Sequence, residues 1–110
     1  MNKPKKWEVW YAFYAYEDEP DSGKNRPVLV LENKDFYPIL AAKVTSAKPR
    51  EGFAGEYRIE KWKEAGLEKP STIRLSKRLK LDEEDFKFKI GRLTPNDIIK
   101  VQSILKNMMM

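Results

Sequence analysis

The stretch GKNRPVLVL, residues 23–31, combines a polar start with a continuous apolar centre. The apolar centre predicts a buried strand that begins at Arg26. Pro27 has no backbone N–H to donate, so it is expected at the strand start or at a sheet edge. Upstream, the aromatic stretch WEVWYAFYAY, residues 7–16, contains neither glycine nor proline and predicts a first strand. The polar segment 17–25 carries four acidic residues and predicts a long loop.

The rest of the chain shows further short strands. Residues 36–45 predict a third strand that Pro38 interrupts, and residues 46–55 predict a basic loop rich in glycine and proline. More strands are predicted at residues 57–60, 71–75 and 77–81. Short strands followed by one terminal helix are typical of a mainly β (α+β) fold. We therefore expect a small, strongly curved sheet or partly open barrel, closed by a helix, in a single domain over residues 1–110.

The one predicted helix lies near the C-terminus. Thr94 suits its N-cap and Pro95 its first position, while Asp97 stands where a capping box has Glu or Gln. An apolar stripe at helical spacing follows, formed by Ile98, Val101, Ile104 and Leu105. This stripe indicates packing against the core or against a second copy of the chain.

The absence of histidine and cysteine narrows the possible chemistry. Without cysteine, disulfides and thiolate metal sites are excluded, and a cytoplasmic protein is favoured. Without histidine, zinc enzymes, histidine-dependent triads and the two-histidine mechanism of RNA cleavage are excluded. A carboxylate-bound magnesium site stays open on composition alone. No apolar run reaches the ~18 residues that cross a bilayer, so no membrane partner is expected.

The net charge of +5 is concentrated in the middle of the chain. Residues 1–42 carry 6 basic and 7 acidic side chains, residues 43–80 carry 11 and 5, and residues 81–110 carry 5 of each. The middle segment also contains Phe53 and Trp62, and basic stretches with aromatic residues suit a polyanion with stackable bases. A solvated surface of strands and loops accounts for the same charges, so this feature alone leaves both interpretations open.

Residues 23–31 resemble the G-x-x-R-P-x-L-V segment of the MazF/PemK toxins, which follows an aromatic first strand and an acidic loop. Three further stretches match the family in the same order: VTS at residues 44–46, GL and KPS within residues 66–71, and IGRLT at residues 90–94. The resemblance covers roughly residues 7–106. An Arg-Pro dipeptide alone would say little, whereas four spaced signatures in one short chain are specific.

The resemblance implies an SH3-like β-barrel with a C-terminal helix, the fold shared by the CcdB and MazF plasmid toxins. It also implies the toxin of a type II toxin–antitoxin system, an mRNA interferase that inhibits growth by cleaving single-stranded RNA at preferred sequences. The family's endoribonuclease reaction needs no metal or other cofactor and leaves 2′,3′-cyclic phosphate and 5′-hydroxyl ends. A homodimer and a cognate antitoxin that blocks the RNA groove are implied as well.

Active-site roles follow from the resemblance at matching positions. Arg26 is implied as the group that stabilises the phosphorane, because guanidinium binds phosphate oxygens in pairs and stays ionised. Thr45 is implied as the active-site hydroxyl, and Arg74 matches a second active-site arginine of some members. Those members have an aspartate two residues later as the base; this chain has Ser76, so its base stays open. Asp21 matches a loop carboxylate, either the base or an acid that tunes RNA entry.

Further RNA contacts are expected from cationic, hydroxyl and aromatic side chains. The predicted set is Ser46, Lys43, Lys48, Arg50, Phe53, Ser76, Lys77 and Arg78. Trp62 is an alternative stacking residue, although it also suits the core. Two other functions stay open: a CcdB-type toxin that poisons DNA gyrase and cleaves nothing, and a non-catalytic RNA-binding SH3-like module.

Overall fold

Six antiparallel strands form one sheet in the computed structural model, which describes residues 3–15, 23–35 and 37–108. Within these residues the elements are β1 (Glu8–Ala15), β2 (Gly23–Glu32), β3 (Ile39–Thr45), β4 (Glu56–Arg58), β5 (Thr72–Leu81), β6 (Phe86–Arg92) and the helix α1 (Pro95–Met108). The strand order is β4-β5-β3-β2-β1-β6, so β4 and β6 are the sheet edges. The mainly β fold with a C-terminal helix is confirmed, although the sheet stays open.

Both faces of the central strands are buried, because successive residues of a strand point to opposite sides. In β2, Val28, Leu29 and Val30 are all fully buried, which explains why its sequence is continuously apolar. Leu29 belongs to one apolar cluster, which Val101 of α1 joins, while Val28 and Val30 pack with Trp10 in a second cluster. The sheet is therefore stabilised by two cores.

β2 begins at Gly23, three residues earlier than predicted, so Pro27 lies inside the strand. Pro27 pairs with Tyr11 of β1, whereas the pairing of β2 with β3 begins only at Val28. Residues 23–27 thus form a ladder with β1 alone. The prediction of a strand start at Arg26 is wrong. Pro27 instead lies where β2 is paired on one side only, which is the situation of a residue at a sheet edge.

Two further differences from the predicted strands lie in the second half of the chain. The residues predicted as two strands form the single strand β5, which has a register shift opposite Ala42 and Lys43 of β3. β6 is missing from the prediction, although its FKFKI pattern, residues 86–90, alternates as a half-buried strand does. β6 matters for the site, because Phe88, Lys89 and Ile90 of this strand line a groove on the surface of the protein.

The helix α1 begins at the predicted place. Pro95 is its first residue, and the N–H of Ile98 donates to the carbonyl oxygen of Thr94 at 2.9 Å. Val101 is buried, and the rest of the predicted apolar stripe packs against the first core cluster. Trp62 packs against the same cluster, which supports its interpretation as a core residue.

Asp97 has a larger role than the weak capping residue that the pattern predicts. Its fully buried carboxylate accepts hydrogen bonds from the hydroxyl of Tyr57 at 2.5 Å and from the backbone N–H groups of Glu60 and Lys61 at 3.0 and 2.9 Å. The Thr94 hydroxyl adds a contact at 3.3 Å. Burial raises the pKa of the Asp97 carboxyl, but these hydrogen bonds outweigh it and hold the pKa below its ordinary value.

We expect Asp97→Asn to lower the free energy of unfolding by about 2 kcal/mol at neutral pH, since it weakens several hydrogen bonds to a charged group. A folded-state pKa below the unfolded value of about 3.9 stabilises the protein above that pH, and the contribution is lost as pH falls through the folded-state pKa. The difference between wild type and variant should therefore shrink in acid, as measured by urea unfolding across pH. The exposed Asp35→Asn is the control. Parallel profiles for wild type and Asp97→Asn would contradict this expectation.

Candidate nucleic-acid groove

A groove of about 760 Å³ opens beside β2 and the end of β3. Side chains from β1, β6 and the segment 66–71 complete it. The lining residues are Tyr11, Asn25, Arg26, Pro27, Val44, Thr45, Ser46, Gly66, Leu67, Glu68, Lys69, Ser71, Phe88, Lys89 and Ile90. Three residues predicted for the site, Arg26, Thr45 and Ser46, are therefore brought together.

The strand register explains why Arg26 and Thr45 meet. The β2–β3 ladder ends at the pair Val28–Lys43, so Arg26 lies two residues beyond that pair on β2 and Thr45 lies two residues beyond it on β3. Because the strands are antiparallel, both residues lie at the same end of the ladder, and both line the groove. Thr45 Oγ1 accepts a hydrogen bond from the backbone N–H of Ala47 at 3.2 Å, which leaves the hydroxyl hydrogen available to a ligand.

Arg58 is a residue beside this site that the sequence did not indicate. From β4, its Nη1 donates to the carbonyl oxygens of Ser46 at 3.3 Å and Ala47 at 3.1 Å, and to the Thr72 hydroxyl at 3.0 Å. Arg58 thereby fixes the turn that follows Thr45. Its partners are mainly backbone atoms 11 or 12 residues away, and no sequence pattern marks such contacts.

One wall of the groove, the segment 66–71, carries both signs of charge. Glu68 is the one carboxylate among the described residues that line the groove, and Lys69 follows it. Both side chains are exposed, and neither forms an ion pair with another described residue. Because the chain contains no histidine or cysteine, Glu68 is the best proton acceptor that this described lining presents.

Two glycines let this wall rest directly on β6. Gly66 has φ of +95°, and a Cβ there would lie 2.5 Å from the carbonyl oxygen of Ile90. A Cβ on Gly91 would overlap the carbonyl oxygen of Ala65. The backbone of the turn therefore touches the backbone of the strand at the groove.

The opposite wall combines two aromatic rings with a lysine. The rings of Tyr11 and Phe88 stack with centroids 5.0 Å apart and planes at 21°. Lys89 Nζ lies 2.9 Å from Oε2 of the buried Glu8, whose Oε1 accepts from Trp10 Nε1 at 2.9 Å. Burial raises the pKa of Glu8, but the hydrogen bonds from Trp10 and Lys89 bring it below its ordinary value. Glu8 therefore stays ionised and holds Lys89 at the groove.

Arg74 lies outside the groove lining, in a cluster around Glu56. Arg74 Nε is 3.8 Å from Glu56 Oε2, and the Nη2 and Nε of Arg50 lie 2.5 and 2.7 Å from the same oxygen. The Arg50 hydrogen bonds lower the pKa of the Glu56 carboxyl. The guanidinium of Arg50 also stacks over Phe53 at 3.9 Å from the ring centroid. Two predicted cations and the predicted stacking residue thus contact this cluster.

The other residues predicted to bind RNA also lie outside the groove lining. Lys43 Nζ is 5.3 Å from the ring centroid of Tyr14, and Arg78 Nε donates to a backbone carbonyl of its own strand at 3.0 Å. The remaining members of the set are exposed; they are Lys48, Ser76 and Lys77. Asp21 falls outside the described residues.

The groove presents guanidinium, ammonium, hydroxyl, carboxylate and aromatic groups to a ligand. Among the described residues, no three His, Cys, Asp or Glu side chains come together as a group that could hold a metal ion. In the same part of the chain, no helix is long and apolar enough to cross a membrane.

Solved structures with a similar fold cover nearly the whole chain. The Mycobacterium tuberculosis toxin MazF-mt6 has 21% sequence identity and a TM-score of 0.71, over 91% of this chain and 93% of that one. An endoribonuclease from a mycobacterial species has 14% identity and a TM-score of 0.70, over 97% and 91%. An endoribonuclease in complex with its cognate antitoxin, also mycobacterial, has 15% identity and a TM-score of 0.72, over 94% and 92%. At these identities the likeness establishes the fold.

The family is established by the sequence itself. A comparison with curated protein sequences finds no match. The model of the family described as PemK-like, MazF-like toxin of type II toxin–antitoxin system matches residues 5–109, nearly the whole chain. The chain therefore belongs to the PemK/MazF family of type II toxins.

Proposed function

We propose that this toxin is an endoribonuclease that cleaves single-stranded RNA, including mRNA, without a metal ion. The observation that carries the proposal is that Arg26 and Thr45, each two residues beyond the last β2–β3 pair, line one open groove. The mycobacterial structures of the same fold that are described as endoribonucleases support it. The products are a 2′,3′-cyclic phosphate and a 5′-hydroxyl.

Arg26 and Thr45 bind the scissile phosphate in this proposal. The guanidinium donates two parallel hydrogen bonds to non-bridging oxygens, and its charge stabilises the phosphorane as negative charge accumulates. The Thr45 hydroxyl donates a further hydrogen bond, and Ser46 lies next to it in the groove. Neither the guanidinium contact nor the hydroxyl contact with the phosphate requires a histidine.

Glu68 is the group that we assign as proton acceptor. Its carboxylate takes the proton of the ribose 2′-hydroxyl while the 2′-oxygen bonds to phosphorus. The bond from phosphorus to the 5′-oxygen breaks, and this oxygen takes a proton from the solvent to which the groove is open. Glu68 lines the same groove as Arg26, whereas the sequence-predicted base, Asp21, lies outside the described residues.

Partners follow from the same proposal. The RNA substrate occupies the groove, and a cognate antitoxin covers it. The structural neighbour described as an endoribonuclease in complex with its cognate antitoxin supports the existence of such a partner. We further propose a homodimer that acts in the cytoplasm, where mRNA is accessible.

The test is to incubate the purified protein with long single-stranded RNA in EDTA and to map 5′-hydroxyl ends. Cuts at preferred sites, undiminished by EDTA, are expected. Cuts that require added magnesium would contradict metal independence. Intact RNA would overturn the nuclease proposal, and growth arrest with blocked DNA supercoiling would then indicate the gyrase-poisoning class.

A further inference from the structure

We propose that the Tyr11–Phe88 pair is a stacking platform for one unpaired RNA base next to the Arg26–Thr45 phosphate site. This inference rests on the proposed RNA substrate and adds a base-binding subsite to it. The rings stack on each other at 5.0 Å, and both line the groove. The side chain of Phe88 is 55% exposed, so much of its apolar surface is open to a ligand.

The register places this pair beside the phosphate site. Phe88 of β6 pairs with Tyr11 of β1, and Tyr11 pairs with Pro27 of β2. All three residues line the groove. With strands about 4.8 Å apart, the row forms an apolar surface roughly 10 Å long. Arg26 precedes Pro27 on β2 and lines the same groove as Thr45, so the phosphate and base subsites share one groove.

The surrounding charges suit a single RNA strand. Lys89 stands on the same wall as Phe88, and Lys69 stands on the other wall. Cations beside an aromatic platform bind the backbone while a base stacks on the ring, which is the usual arrangement for single-stranded nucleic acid.

Phe53, the stacking residue predicted from the sequence, is equally exposed at 54% but differs in its surroundings. The guanidinium of Arg50 covers one face of the Phe53 ring, as Tyr11 covers one face of Phe88, but Phe53 does not line the groove. Phe88 and Phe53 are therefore two rival platforms of equal exposure. Substituting each in turn decides between them.

The experiment measures binding of a fluorescein-labelled, 2′-O-methylated oligouridylate, which lacks the nucleophilic hydroxyl and is not cleaved. A second probe has the same backbone without bases. Phe88→Leu is expected to weaken binding of the base-bearing probe about 10-fold, in line with base–aromatic stacking, and to leave the abasic probe unchanged. Phe88→Trp should restore binding. Tyr37→Leu, which removes an exposed ring outside the groove, is the matched control.

Each outcome separates this inference from the proposed function. If wild type binds and Phe88→Leu binds equally well, or if Phe53→Leu alone weakens binding, the platform is overturned and the RNA substrate stands. An equal loss of affinity for both probes in Phe88→Leu would mean that Phe88 acts through the fold or the phosphate site, and this result would also overturn the stacking platform. If wild type binds neither probe, the RNA groove itself is overturned.

Discussion

Replacing Arg26 with alanine is expected to reduce the rate of RNA cleavage about 100- to 1,000-fold, the cost of losing one preorganised donor at a developing charge. The side chain is half-buried and lines the same groove as Thr45, so its charge acts where water is partly excluded. Arg26→Lys keeps the charge but loses the paired hydrogen bonds, so its rate should fall between those of alanine and wild type.

Single-turnover rates of cleavage at one mapped site would measure this effect without a contribution from the rate of product release. Arg92→Ala is the matched control, since this exposed β6 arginine donates to the carbonyl oxygen of Lys6 and does not line the groove. Equal losses for Arg26→Ala and Arg92→Ala would indicate a general charge effect. An unchanged rate for Arg26→Ala would remove this residue from the mechanism.

Glu68→Gln is expected to slow cleavage about 100-fold or more, because glutamine keeps the shape of the side chain but cannot accept the 2′-hydroxyl proton. The variant should also lose the rise in cleavage rate with pH on the acidic side, which a purely structural role would not affect. Glu64→Gln is the control, as Glu64 is exposed in the preceding turn and does not line the groove.

A comparison with Asp21→Asn sharpens this test. If Asp21→Asn is slow while Glu68→Gln cleaves at the wild-type rate, the loop carboxylate predicted from the sequence is the base. If both variants cleave slowly, their pH–rate profiles distinguish the two residues. The variant that has lost the proton acceptor should no longer show a rise in cleavage rate with pH on the acidic side.

The central strands and the helix could be predicted because each reflects local chemistry. The continuous apolar run of β2 follows from burial on both faces, and Thr94-Pro95 marks the helix start without reference to distant residues. The meeting of Arg26 and Thr45 could be expected only from the family resemblance. The register shows its cause, since each residue lies two positions beyond the last β2–β3 pair, at the same end of that ladder.

The walls of the groove could not be predicted, because they depend on contacts between distant segments. Glu68 reaches the site because the turn before it rests on β6, and Phe88 reaches it because β6 pairs with β1. Arg74 shows the converse case. Its residue type suited a phosphate site, but its neighbour across the strands is Glu56, and the ion pair that forms there lies outside the groove lining.

The backbone contact between the turn and β6 restricts how this toxin can evolve. A side chain at Gly66 or at Gly91 would separate the same two backbones, so the costs of substituting both are expected not to add. The contact between the turn and β6 therefore depends on two positions that carry no side chain. Under the proposed function, changes in RNA preference are then expected first at residues such as Lys69 and Phe88, whose side chains line the groove and can vary without disturbing this contact.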